Sequence, residues 1–466
     1  MKIALIELSG RDRLNIYSLI TMARGVPLLA GIMKHLGYSV DCFVETIQEF
    51  DWKELLGYDL IGFSIISCTA NPTYAMIKKL KNAKFKGTIV VGGPHATVLP
   101  NESLEVGADV VIRHEGDKSF PQLIQAIERQ LSLKDVPGIS WKTKTNTLWH
   151  NPHQDFLTKS ELSDLPPAAF ETIRGHKKIR QISLTFSRGC PYDCVFCAVR
   201  SVFGPYRFTT TASRILQLKA IRDQYSWFWQ NCMIFFADDN FFGTNESMLI
   251  TKEMLRQMIA ENLIPPKGWV CQMRVTDANM ETAQLLKNAG CSVVCLGIET
   301  TDTIALKALQ KGQTPEDIKE GLNHLKNHGI RTLAMTIAGI DTDTFRSFFR
   351  GIRKLKEWGI TYLQVLAMVP LPGTKMTNQL IKNQINFSRN YDLYNGMHVM
   401  MKPAKMSKFD AWMSVYLVTI WFYFFTSHGL KLFVKEFRHY IKMIAIIFMQ
   451  GLVLPIRIIK EHFVSR

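Results

Sequence analysis

Ser187-Arg188-Gly189-Cys190-Pro191-Tyr192-Asp193-Cys194-Val195-Phe196-Cys197 follows directly on the run Gln181–Ser187, whose β-branched and apolar residues read as a strand. Its three thiols stand at C-x3-C-x2-C spacing on one loop. Thiolates are the usual ligands of iron–sulfur clusters. Three of them can bind three irons and leave a fourth open to a substrate or cofactor. A zinc site wants a fourth protein ligand, and His176 lies on the far side of the predicted strand. The other six cysteines, Cys42, Cys68, Cys232, Cys271, Cys291 and Cys295, are scattered. With Ile3–Leu8 too short for a secretory signal, the nine cysteines do not read as a disulfide framework, and a cytoplasmic setting is expected.

Downstream of the cysteines, strand and helix patterns alternate. Six strands are expected in all: Gln181–Ser187, Met233–Ala237, Gly268–Met273, Ser292–Ile298, Arg331–Ile337 and Tyr362–Met368. Five helices are expected near 211–225, 246–262, 277–289, 314–328 and 342–358, with Thr314-Pro315-Glu316-Asp317 as a strong helix start. Six βα units predict a barrel or partial barrel, and barrels carry their reactive residues at the carboxyl ends of the strands. Asp238, Asp239 and Asn240 fall there after the second strand, Arg274 after the third and Glu299 after the fourth.

Upstream, residues 1–130 alternate in the same way. Lys2–Leu8, Ser39–Val44, Leu60–Ile65, Thr88–Val91 and Val110–Ile112 read as strands, and Val26–Leu36, Tyr74–Asn82 and Phe120–Arg129 as helices. This predicts a parallel, doubly wound (Rossmann-like) α/β domain that binds its ligand at the carboxyl ends of the strands. Gly62, Gly92, Gly93 and Gly116 lie near those ends. Residues 131–178 read as a linker containing a short Trp141/Trp149 hairpin.

The 466-residue chain carries a formal charge of +16, which calls for an anionic partner. Residues 399–466 hold ten Lys or Arg against three Asp or Glu, a surplus of seven. These charges alternate with the apolar runs Ala411–Phe425 and Ile444–Ile459, and Lys431, Lys435, Arg438 and Lys442 share one helical face. Neither run is a clean spanning segment of about 20 apolar residues. Together they predict a helical region, 376–466, lying on the inner face of an anionic membrane, with closure of the barrel's open end as the competing reading.

The cysteine loop and the barrel over 179–375 resemble the radical S-adenosylmethionine (SAM) superfamily. The resemblance implies a 4Fe–4S cluster on Cys190, Cys194 and Cys197 whose open iron binds SAM, and an electron that cleaves SAM to a hydrogen-abstracting 5′-deoxyadenosyl radical. It further implies SAM contacts from Phe196, from Asp238-Asp239-Asn240, from Arg274, from Glu299 in Gly297-Ile298-Glu299-Thr300, and from Ile337 in Ile337-Ala338-Gly339. Pro370-Leu371-Pro372-Gly373-Thr374 resembles the barrel exit of this subgroup.

Within residues 1–130, Ser64-Ile65-Ile66-Ser67, Val91-Gly92-Gly93-Pro94-His95-Ala96-Thr97 and His114-Glu115-Gly116 resemble the cobalamin-binding domain that precedes many such barrels. The resemblance implies cobalamin contacts from Ser64, Ser67, Thr69, Gly92, Gly93, Pro94, His95, Glu115 and Gly116. The chain departs from the Asp-x-His-x-x-Gly loop of many cobalamin proteins, having Ser9-Gly10-Arg11-Asp12-Arg13-Leu14 there. Either cobalt then has no histidine ligand, or cobalamin is not bound and the domain only shapes the substrate pocket.

Taken together, the chain resembles the family that includes hopanoid methylases and the anaerobic magnesium-protoporphyrin monomethyl ester cyclase. The leading expectation is cobalamin-dependent methyl transfer to an unactivated carbon of a lipid-like or other hydrophobic small molecule, fed by an external electron donor. The alternatives are a radical cyclase, oxidase or carbon–carbon coupling enzyme of the same architecture and, third, an RNA-modifying enzyme. No appended RNA-binding module is present in the sequence, and the charge concentrates on an apolar tail, which argues against nucleic acid.

Overall fold

The computed structural model describes residues 1–10, 24–143 and 145–426. Strand β1, Lys2–Glu7, shows how the first sheet is made. Ile3 and Leu5 enter one core and Ala4 and Ile6 another, so the strand is buried on both faces. β2 (Ser39–Val44), β3 (Leu60–Ser64), β4 (Thr88–Gly92) and β5 (Val110–Ile112) join it in parallel, in the order β2-β1-β3-β4-β5. Helices Gly25–His35, Ser67–Asn82 and the short pair Pro94–Val98 and Pro100–Glu105 cross over between them, and Gly116–Glu128 follows β5. The strand order reverses between β1 and β3, and the carboxyl ends beside that reversal are where such sheets bind ligands.

The Trp141/Trp149 hairpin forms: β6 (Ile139–Lys142) and β7 (Leu148–His150) extend the same sheet antiparallel from β5. The rest of the segment read as a linker wraps the sheet. Arg174 donates its amide to the Cys42 carbonyl at 2.9 Å, and Ile173 bridges Cys42 on β2.

The second sheet has six parallel strands in sequence order: β8 (Gln181–Leu184), β9 (Met233–Phe236), β10 (Trp269–Met273), β11 (Cys291–Glu299), β12 (Arg331–Ala338) and β13 (Tyr362–Ala367). β8 and β13 do not pair, so the barrel is open. The five expected helices are Thr211–Asp223, Asn245–Ala260, Met280–Asn288, Pro315–Asn327 and Phe345–Glu357. Thr314 caps its helix as expected, accepting from the Asp317 amide at 3.1 Å while Asp317 accepts from the Thr314 amide at 2.7 Å.

The free edge at β13 is covered by helix Lys408–Phe424. The Tyr423 hydroxyl accepts from the Leu363 amide at 2.9 Å and donates to the Leu363 carbonyl at 2.8 Å. Ala411, Val415, Tyr416, Val418 and Phe422 are buried. The run Ala411–Phe425, expected at a membrane interface, thus spends most of its apolar surface closing the barrel. A helix apolar all round fits a protein core as well as a lipid phase. Leu417 and Phe425 stay exposed. Among the described residues no helix is long and apolar enough to cross a membrane. Lys431, Lys435, Arg438, Lys442 and Ile444–Ile459 lie outside the described residues.

Candidate cofactor sites at facing strand ends

The cysteine loop is built by its neighbours. Asp238, just past β9, accepts from the Phe186 amide at 2.9 Å and the Ser187 hydroxyl at 2.6 Å, tying the loop's entry to the next strand. Gly189 has φ +76°, and a Cβ there would meet the Gly204 and Pro205 carbonyls at 3.1 and 3.0 Å, so a side chain is excluded on both counts. Cys197 donates its amide to the Cys194 carbonyl at 3.1 Å, and Lys375 holds Asp193 at 2.5 Å. Cys190, Cys194 and Cys197 are free, half-buried thiols. Burial pushes Cys190 up and Cys197 up to about 12, and the nearby Asp239 carboxylate adds to both shifts. Thiols so placed need a cationic centre to ionise. Among the described residues no three His, Cys, Asp or Glu side chains converge as a single metal ion requires. An iron–sulfur cluster distributes its ligands over separate irons, and three free thiols on one half-buried loop fit it.

Around this loop the strand ends contribute polar groups that lack partners. Asn240 is buried with neither its amide nitrogen nor its amide oxygen bonded, and Asp238 Oδ2 is unpartnered as well. Such orphans fit a polar cofactor. Burial pushes Asp239 above the usual carboxylate range, with Arg24 opposing it, their side chains 3.7 Å apart. Phe196 and Ile337 belong to one apolar cluster with Leu309, Ile340, Met368 and Met401, a lining that fits a purine ring.

Arg274 and Glu299 are more engaged than expected. The Arg274 guanidinium donates to the Lys311 and Gly312 carbonyls and lies 3.9 Å over the Tyr192 ring. Glu299 pairs with Lys311 at 2.7 Å, both buried. Glu299 also sits at φ +61° beside an irregularity in the β11–β12 register. A non-glycine residue held there is strained, and such strain gathers at functional sites.

At the amino-terminal strand ends, Ser64 and Gly92 are half-buried, at the ends of β3 and β4. Gly93 has φ +98° and lies so close to Ile65 that a Cβ would meet its carbonyl at 2.6 Å. Pro94 starts the short helix Pro94–Val98. Ser67 bonds His95 Nδ1 at 3.1 Å, and Glu102 bonds His95 Nε2 at 3.2 Å. With both nitrogens engaged, His95 offers no lone pair to cobalt, in line with the missing histidine loop. Thr69 caps the Ser67–Asn82 helix by accepting from the Ile66 amide at 3.1 Å. Glu115 is taken up by the Leu157 amide at 3.1 Å and Arg207 at 2.9 Å, so it braces the domains against each other, and Gly116 opens the following helix. A large flat group would be held here by glycine-lined strand ends rather than by a side-chain ligand.

The two sets of strand ends face one another. Arg24 donates to the Ala237 carbonyl at 2.8 Å, and Cys68 packs with Val369, Leu371, Tyr394 and Met400 from the barrel side. Tyr391 reaches Glu102 at 3.1 Å. Sequence reasoning missed Arg24, Lys311 and Tyr391. Each acts across more than ten intervening residues, and none carries a local pattern.

The sequence profile of the Radical SAM superfamily matches residues 184–355, and that of the B12 binding domain matches 17–124. An uncharacterized methyltransferase of Pyrococcus horikoshii is 25% identical over 83% of this chain and 81% of its own. The hopanoid C-3 methylase of Methylococcus capsulatus is 26% identical over 82% of this chain and 72% of its own. Among solved structures, the radical S-adenosylmethionine methyltransferase TsrM from Kitasatospora setae superposes with a TM-score of 0.67, covering 82% of this chain and 76% of that one at 18% identity, which speaks for the fold. A cysteine loop at the mouth of an open six-stranded barrel, facing a doubly wound sheet, thus agrees with both profiles: the chain is a radical SAM enzyme with an amino-terminal B12 binding domain, whose cofactors are a 4Fe–4S cluster, SAM and cobalamin.

Proposed function

We propose that this enzyme transfers a methyl group to an unactivated carbon of a hydrophobic, lipid-like small molecule. The observation that carries the reading is the apolar cluster where the two sets of strand ends meet, in which Cys68, Tyr394 and Met400 pack with Val369 and Leu371. When bound, the three cofactors supply one-electron cleavage of SAM and a methyl carrier. Cys190, Cys194 and Cys197 hold the cluster. Asp239 and the unpartnered Asn240 would hold the polar end of SAM, Phe196 and Ile337 its adenine, and the Lys311-paired Glu299 would contribute from β11. Ser64, Ser67, Thr69, Gly92, Gly93 and Pro94 would hold cobalamin. Apolar side chains between the two exclude water and select a substrate with little polar surface. The methyltransferase and hopanoid methylase names of two relatives support methyl transfer.

The test is anaerobic reconstitution with iron, sulfide, cobalamin and a strong reductant, followed by methyl-labelled SAM and a total lipid extract. Label in an apolar product, together with 5′-deoxyadenosine, is expected. A confirmed cluster that yields no 5′-deoxyadenosine overturns the mechanism. An altered product without label overturns methyl transfer in favour of cyclisation or coupling. Cys190→Ala, Cys194→Ala and Cys197→Ala should each abolish the cluster absorbance.

A further inference from the structure

The helix Phe345–Glu357 carries charge on one side only. Phe348, Ile352 and Leu355 point into the core, while Arg346, Arg350, Arg353 and Lys354 recur at spacings of four, three and one on the exposed side. Lys356 is half-buried beside them. None of the five forms an ion pair among the described residues. Against this helix lies Lys408–Phe424, whose Trp421 ring meets Phe349 edge-on at 4.8 Å and has Lys356 at 5.4 Å. Between the two helices lies an open groove of about 400 Å³ lined by Phe349, Arg353, Lys356, Glu357 and Trp421. Leu417 and Phe425, on the outer side of the second helix, are 39% and 75% exposed.

Four exposed cations with a single exposed carboxylate, Glu357, beside half-buried Trp421 and exposed Phe425 and Leu417, suit a surface that is anionic outside and apolar just beneath. We propose that this outer face of the barrel, helices Phe345–Glu357 and Lys408–Phe424 together, docks on an anionic phospholipid bilayer. Arg and Lys meet the headgroups, and Trp421, Leu417 and Phe425 enter the interfacial layer. The charge of the remaining chain supports this occupant. Residues 427–466 start where this face ends and hold seven Lys or Arg against two Asp or Glu, so they carry the same sign and do not neutralise it. A nucleic acid would be drawn by the same cations, but the aliphatic Leu417 offers nothing to a base or a phosphate. The face lies on the outside of the barrel, and the proposal goes beyond the choice of substrate.

The test is co-sedimentation of the full chain with phosphatidylcholine vesicles, with and without phosphatidylglycerol. Binding to the anionic vesicles only, weakened by salt, is expected. Each Lys or Arg near an anionic surface strengthens binding roughly fivefold. The exposed-site variant Arg346→Gln/Arg350→Gln/Arg353→Gln/Lys354→Gln should therefore lose at least tenfold in partitioning while keeping its melting temperature. Leu417→Gln/Phe425→Ser, with every cation intact, should also weaken binding. No preference for anionic vesicles, or undiminished binding by the four-charge variant, overturns the proposal. So does binding of a short RNA, but not of vesicles, that falls with the same four charges.

Discussion

At the residue scale, the informative groups are buried charges. Lys311 and Glu299 neutralise each other at 2.7 Å, both largely buried. Breaking such a pair from one side leaves an uncompensated charge, at about 3–5 kcal/mol. Lys311→Met should lower the urea midpoint accordingly, and Lys311→Met/Glu299→Leu should recover much of the loss. Asp343, just past β12, is 1% exposed, has no partner at Oδ2, and is pushed up to about 7 by burial, with Asp302 adding to the shift. The folded state therefore binds this proton more tightly than the unfolded chain. The stability it contributes is complete below the ordinary carboxylate range and is lost as pH rises through about 7. Asp343→Asn should be more stable than the parent at pH 8, by on the order of a few kcal/mol, with the gain shrinking toward pH 5 in thermal melts. The three-thiol loop was legible because its spacing and the strand before it are both written locally. Lys311 and Arg24 were not, because their meaning lies in what folding brings beside them.

At the scale of elements, strands buried on both faces write themselves as apolar runs, so every expected strand of both sheets formed, with ends shifted by a few residues. The helix expected over Tyr74–Asn82 begins at Ser67 instead. Cys68, Ala70 and Thr73 are buried and the Thr73 hydroxyl donates to the Thr69 carbonyl at 2.8 Å, so packing carries the helix through Asn71 and Pro72, which are poor helix formers. The role of helix Lys408–Phe424 stayed open in the sequence because an all-round apolar helix serves a core or a lipid phase equally. Its Tyr423 hydroxyl completes the edge of β13. Tyr423→Phe strands the buried Leu363 amide and carbonyl and should cost about 1–3 kcal/mol, measured by chemical denaturation, with faster hydrogen exchange at the Leu363 amide.

At the scale of the whole molecule, one apolar core runs from Ile3 and Val26 through Phe170 and Ile182 to Phe422, joining both sheets. Arg207–Glu115 at 2.9 Å and Arg188–Asp117 at 3.1 Å cross the same junction. The two sheets should melt in a single calorimetric transition, and Arg207→Ala/Asp117→Asn should split it or lower it. The doubly wound sheet and the barrel were legible from alternation. Their face-to-face arrangement was not, because the contacts that set it pair residues far apart in sequence, Arg24 with Ala237 and Glu102 with Tyr391. That last contact has a consequence in time. Ribosomes deliver residue 102 long before residue 391, so the amino-terminal sheet is complete in sequence while Glu102 still lacks its Tyr391 partner. The helix Lys408–Phe424, which covers the last barrel strand, comes later still, so the barrel finishes folding only after that contact can form.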